Sequence, residues 1–137
     1  MRSLTGAEAK RALPVDFEAT VNYYDPGGRD LFVQDGDLAI YVFTGPGANL
    51  VPGDRVRVRG KTDSDFRPDV VADEVTLLGH GVPPKPAHPT FAQLIRTEFD
   101  CERVTMRARV RSANVVRDRA ETNIYMNVLV DGGYTAV

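Results

Sequence analysis

Asp30-Leu-Phe-Val-Gln-Asp-Gly-Asp-Leu-Ala-Ile-Tyr-Val42 is the stretch that decides how the chain folds. Two short strands, Leu31–Gln34 and Leu38–Phe43, flank the tight turn Asp35-Gly-Asp37. Asp-Gly between alternating apolar runs signals a hairpin, because the turn needs positive φ and glycine supplies it without strain. Upstream, Val15, Phe17, Ala19, Val21 and Tyr23 alternate with Asp16, Glu18, Thr20 and Asn22. A period of two with one polar face predicts a half-buried strand. Asp25-Pro-Gly-Gly28 turns that strand into the hairpin.

Downstream, Thr44–Pro52 is a loop rich in Gly, Pro and Asn. Arg55–Lys61 alternates Val56, Val58 and Gly60 against Arg55, Arg57, Arg59 and Lys61, a strand with one basic face. Thr62–Pro68 reads as a second polar loop. Val70–Leu78 reads as a fifth strand with Val71, Val75 and Leu77 inward. The fold class expected is mainly β: a five-stranded, OB-fold-like Greek-key barrel. The link between strands three and four is too short for the helix that many such barrels carry there. Before the barrel, Thr5-Gly-Ala-Glu8 fits a capping box, opening a short helix over Gly6–Ala12 that Pro14 stops.

Gly79–Pro89 holds Pro83, Pro84, Pro86 and Pro89 and predicts a stiff, extended connector. Thr90-Phe-Ala-Gln93 is another capping box, opening a helix to Thr97. Val104, Met106, Ala108 and Val110 then alternate with Thr105, Arg107, Arg109 and Arg111, and a hairpin runs from Asn123–Val130 through Asp131-Gly-Gly133 into Tyr134–Val137. These features repeat the first half. Thr5/Glu8 matches Thr90/Gln93, Val15–Val21 matches Val104–Val110, and Asp35-Gly36 matches Asp131-Gly132. The division expected is a barrel over residues 1–80 with a short N-terminal helix, a connector over 81–89, and a short helix plus a partial second OB-like unit over 90–137. Three strands cannot close a barrel. The chain therefore reads as a piece of a longer protein, and its open strand edges predict a homodimer through residues 104–137.

The 137 residues are 42% hydrophobic and 26% charged, a globular composition. No apolar run approaches the roughly 18 residues that a membrane span needs, so membrane attachment would come only through segments absent from this chain. Cys101 is the single cysteine, which excludes an intramolecular disulfide and a Cys-rich zinc site; it reads as a small buried apolar residue. His80 and His88 read as loop residues. The net charge of −2 gives no general attraction to phosphate backbones, so nucleic acid is not the expected partner. Residues 1–80 carry 9 Lys/Arg and 13 Asp/Glu, net −4.

OB-folds bind ligands on the outer face of strands two and three and the loops beside it. Those positions hold Tyr24, Arg29, Phe32, Tyr41, Phe66 and Arg67. Aromatic rings with nearby arginine stack sugars or bases, which makes these the candidate contacts for an unknown small ligand. Alternation alone leaves open whether Phe32 or the pair Leu31/Val33 points inward. The basic rows Arg55/Arg57/Arg59/Lys61 and Arg107/Arg109/Arg111 read as solvated strand faces. Asp25, Asp30, Asp35 and Asp37 lack EF-hand spacing, and aspartate at turns is explained by bonds to the backbone. No catalytic grouping is present and no cofactor or metal is called for, so the chain reads as non-enzymatic.

Several pieces together carry a resemblance. They are Leu13-Pro-Val15, Val21-Asn-Tyr-Tyr-Asp-Pro26, Leu31-Phe-Val-Gln-Asp35 with Ile40-Tyr-Val42, Leu50-Val-Pro-Gly-Asp-Arg-Val-Arg-Val-Arg-Gly60, Phe66-Arg-Pro68 and Leu78-Gly-His-Gly-Val-Pro83. Over residues 4–112 the chain resembles the OB-fold-like extracytoplasmic region of bacterial membrane-bound sensor histidine kinases and diguanylate cyclases, of acidobacterial type. The resemblance implies a periplasmic sensory or structural module of a signalling receptor. It brings no ligand motif.

Overall fold

A computed structural model describes residues 6–25, 27, 29–64, 68–117 and 122–137. The chain divides into two compact units, Met1–Pro86 with Asp100–Arg103, and Ala87–Phe99 with Val104–Val137.

The first unit holds α1 (Gly6–Ala9), β1 (Pro14–Asp25), β2 (Asp30–Asp35), β3 (Leu38–Phe43), β4 (Arg55–Ser64) and β5 (Pro68–Gly79). The strands close into a barrel in the order β1-β2-β3-β5-β4. All neighbours are antiparallel except β3 and β5, which run parallel at Val42↔Val70 and Phe43↔Val71. The quoted stretch forms the β2–β3 hairpin as expected, with Gly36 at φ 60° in its turn. Ala19, Val21, Leu31, Val33, Val42, Leu50, Val56, Val58 and Val70 fill the interior.

β1 is long because it serves two neighbours: Pro14–Thr20 pair with β4, and Thr20–Asp25 pair with β2. Between Val21 and Tyr23 its register shifts, leaving Asn22 as an extra residue. A bulge of this kind bends the strand and reverses which side chains face in.

Four expectations are corrected. Thr62–Ser64 belong to β4 rather than to a loop, and buried Thr62 stitches the α1 end down: its hydroxyl accepts from Leu13 N at 2.9 Å and donates to Ala9 O at 2.7 Å. The helix stops at Ala9 instead of Ala12, with Ala12 at φ 50°. On β5, Val70 is buried and Val71 lies 40% exposed, while Leu77 is 41% exposed. The β4–β5 register shifts between Arg59↔Glu74 and Gly60↔Ala72, so Asp73 is extra and the alternation changes phase there; Val75 does pack against the core. In the second unit, the first strand starts at Ala108, not Val104. Val104 instead bridges Ala87 in parallel, with Thr105 N donating to Ala87 O at 2.8 Å. The capping box proposed at Thr5 and the turn at Pro26 and Gly28 include residues outside the described set.

The second unit holds α2 (Phe91–Ile95), β6 (Ala108–Arg117), β7 (Thr122–Val130) and β8 (Gly133–Ala136), with a three-stranded sheet in the order β6-β7-β8. The α2 capping box forms: Gln93 N donates to Thr90 Oγ1 at 3.3 Å, and Thr90 N donates to Gln93 Oε1 at 2.9 Å. Gly132 (φ 100°) repeats the left-handed turn of Gly36. Next to it, Gly133 accommodates the Phe91 ring, which a Cβ at that position would strike. Pairing puts Val110, Val115, Ile124, Val128 and Val130 on one face, of which Val128 and Val130 are buried and the other three are more than half exposed.

Gly60 is a position where a methyl group has no room: a Cβ would strike Val71 O and lie 2.8 Å from Ala72 Cα. Gly60→Ala is expected to lower stability by about 1–3 kcal/mol, the usual cost of overpacking. Urea denaturation measures this against Gly45→Ala, whose added methyl meets nothing within 4 Å and should leave the midpoint unchanged.

Candidate functional site

The barrel carries an aromatic stripe on its outer wall. Leu31 and Val33 are buried on β2, so Phe32 between them faces outward. Register aligns Phe32 with Tyr41 on β3 and with Tyr23 on β1. The ring centroids follow at 5.7 Å from Tyr23 to Phe32 and 5.7 Å from Phe32 to Tyr41, both tilted. Rings at this spacing attract one another through edge and face, and the stripe offers three adjacent π surfaces on one wall. Tyr23 is 51% exposed.

Polar groups bound the stripe. At one end Tyr41 OH donates to Asp30 Oδ1 at 2.6 Å. At the other, buried Asn22 uses both amide hydrogens, donating from Nδ2 to Gln34 Oε1 at 3.0 Å and to Cys101 O at 3.0 Å. Gln34 Nε2 in turn donates to Gly36 O at 2.8 Å, tying this end to the hairpin turn. The Asn22 Oδ1 atom is buried without a hydrogen-bond partner. Glu102, next to the anchored Cys101, has its carboxyl pushed up, first by burial and then by the Asp37 charge.

The sequence-derived candidates divide. Phe32 and Tyr41 stand side by side on the stripe. Arg29 is exposed in the β1–β2 connection at φ 63°, its carbonyl accepting from Thr44 N at 3.0 Å. The Tyr24 ring packs against the core, and its hydroxyl is buried without a partner. Phe66 and Arg67 lie outside the described residues. Tyr23, which alternation groups with the apolar face of the strand, faces outward instead. Nothing short of locating the Asn22 bulge distinguishes the two tyrosines, because the extra residue swaps their faces.

The basic row on β4 is occupied by carboxylates. Arg57 makes a two-pronged contact with Asp16, at 2.6 and 2.8 Å, and Arg59 reaches the same carboxylate at 3.2 Å. Bonding to Arg57 above all holds Asp16 below its usual range. Arg55 pairs with Glu18 and Asp35, and Arg59 also with Glu74. These cations are not waiting for phosphate.

One further titratable pair stands outside the stripe. The Asp54 side chain is buried, accepting from Val51 N at 3.0 Å through Oδ2 and contacting His80 Nδ1 at 2.7 Å through Oδ1. The Asp54 backbone accepts from Val21 N at 2.8 Å, beside the bulge. The imidazole is largely exposed and orients on the carboxylate, but no nucleophile adjoins it among the hydrogen bonds of this pair. Among the described residues no group of His, Cys, Asp and Glu is arranged to hold a metal, and no helix is long and apolar enough to cross a membrane.

No family model and no curated protein matches the chain.

Asp54 sets a pH dependence. The Val51 amide, then His80, hold its carboxyl below the ordinary value of 3.8, against burial. A depressed folded pKa means that the bonded carboxylate stabilises the fold above that ordinary value and that this contribution is lost as pH falls through the lowered one. Asp54→Asn is therefore expected to be less stable by about 1–3 kcal/mol at pH 7, the cost of disrupting a buried charged acceptor. The difference should narrow as the pH drops below 3.8, measured by urea denaturation at each pH.

Proposed function

We propose that the chain is a non-enzymatic binding module whose contact surface is the Tyr23–Phe32–Tyr41 stripe, and that it serves as the extracytoplasmic sensory region of a bacterial transmembrane signalling receptor. The stripe carries the binding half of this reading: three rings in register on the outside of a barrel are apolar surface kept out of the core. The receptor half is supported by the resemblance of residues 4–112. The five-stranded order with parallel β3–β5 pairing fits an OB-type barrel, whose ligands meet this wall.

A neutral saccharide suits the stripe better than an oligonucleotide. Both stack on rings, but the barrel half is net −4 and its β4 arginines are paired with carboxylates. A polyanion needs unneutralised cations along its path. Signalling would follow from ligand-dependent packing of the barrel or from the geometry of a homodimer formed through residues 104–137.

Titration with neutral oligosaccharides tests the binding half. Phe32→Ala and Tyr23→Ala are each expected to weaken association about ten-fold, since a stacking ring contributes about 1–3 kcal/mol. Single-stranded DNA binding that weakens steeply with salt, with no saccharide binding, would overturn it. The receptor half is checked in the full-length gene, where a membrane span and a kinase or cyclase domain are expected downstream. Light scattering checks the homodimer: a monomer with a folded second unit counts against it.

A further inference from the structure

The second unit contains a groove of about 600 Å³, within the range of small-molecule sites. It opens where the parallel contact between Ala87 and Val104 ends. Pro89 cannot donate a hydrogen bond onward, so the two segments part after this bridge. Phe91, Met106, Pro89 and Val130 supply apolar lining, and Val130 is buried. Phe91 is held in place by its seat on Gly132 and Gly133.

Two opposite charges line the same groove, Arg107 and Asp131. Arg107 immediately precedes Ala108 and Asp131 immediately follows Val130, and those two residues are paired across β6 and β7. Both charges thus lie just beyond the same end rung of the antiparallel ladder, on the same side of it. Among the described residues neither side chain makes an ion pair or a hydrogen bond, with each other or with a third group. Met106 and Arg107 also offer backbone amides without a backbone acceptor among the described residues.

We propose that this groove binds a small zwitterion, an α-amino acid with an apolar side chain. The carboxylate meets Arg107, whose planar fork donates two bonds to it. The ammonium group meets Asp131, and the side chain lies against Phe91 and Met106. An amino acid carries its two charges on adjacent carbons, which matches a cation and an anion side by side at one end of the ladder. A purely anionic ligand would leave Asp131 repelling it, and a purely cationic one would leave Arg107 doing so. This site is independent of the aromatic stripe and does not rest on the reading given for it.

The probe is L-leucine, with N-acetyl-L-leucine and L-leucinamide as blocked analogues, added to the full ¹⁵N-labelled chain and followed by amide shifts. Leucine is expected to move the resonances of Arg107, Asp131 and Phe91. Each blocked analogue is expected to bind roughly ten-fold more weakly or worse, because each loses one charged contact. Arg107→Gln and Asp131→Asn should weaken leucine binding by a similar factor, while an unchanged thermal midpoint reports that both still fold. Tyr23→Ala should leave leucine binding intact, which separates this groove from the barrel wall. The proposal is overturned if leucine moves none of these resonances, if the blocked analogues bind as well as leucine, or if neither charge variant weakens it.

Discussion

The fold of the barrel depends on one strand serving two partners. β1 pairs with β4 over its first half and with β2 over its second. A strand cannot do both while running straight, because the two neighbours leave it in different directions. The extra residue at Asn22 supplies the bend, and its consequences reach in three directions. Val21, just before it, bonds the Gly53–Asp54 segment on its other side. Tyr23, just after it, swings onto the outer wall. The Asn22 amide itself ties down Gln34 and the backbone of Cys101. Closure of the barrel, exposure of the aromatic stripe and anchoring of Asp100–Arg103 therefore share one irregularity.

What could be read in the residues was governed by where alternation is unbroken. The β2–β3 hairpin is uninterrupted and flanks an Asp-Gly turn, so its strands, its turn and the outward Tyr41 are legible. Alternation leaves Phe32 open, and the burial of Leu31 and Val33 turns it outward. Wherever a bulge intervenes, a period-two reading fails beyond it: Tyr23 and Tyr24 exchange faces after Asn22, and Val71 exchanges with Val70 across the irregularity at Asp73. A bulge is set by the partner strand, and the partner is not visible in a local window. Thr62 is polar and so reads as loop, although its hydroxyl has two backbone partners inside the fold. In the second unit the turn and the last two strands were legible for the same reason as the first hairpin. The first strand begins four residues later than alternation indicates, because Val104–Arg107 alternate just as a strand does while Val104 and Thr105 pair with Ala87 instead.

Charge is distributed by a different logic in the two units. On the barrel, carboxylates of β1, β2 and β5 sit beside the β4 arginines and neutralise them locally. Such exposed pairs contribute little to stability, but they remove positive potential from the wall. On the three-stranded sheet, Arg109, Arg111 and Arg117 lie along an edge strand, and the β6–β7 register slips at Arg111. Charged side chains and a bulge on an edge both discourage unintended strand addition. The apolar face of that sheet is covered at Val128 and Val130 and bare at Val115 and Ile124.

The stripe also has a history within each folding event. Phe32 and Tyr41 meet across a short hairpin, a contact between near neighbours in the chain, and local contacts of this kind form quickly. Tyr23 meets Phe32 across the equally local β1–β2 connection. The parallel β3–β5 pairing and the β1–β4 pairing, which close the barrel, span much longer loops and carry a larger entropic cost before any contact rewards them. All three rings thus rest on contacts between near neighbours in the chain, whereas closure of the barrel rests on distant ones. A nascent chain holding β1–β3 without β4 and β5 would present a sticky aromatic stripe with no closed wall behind it.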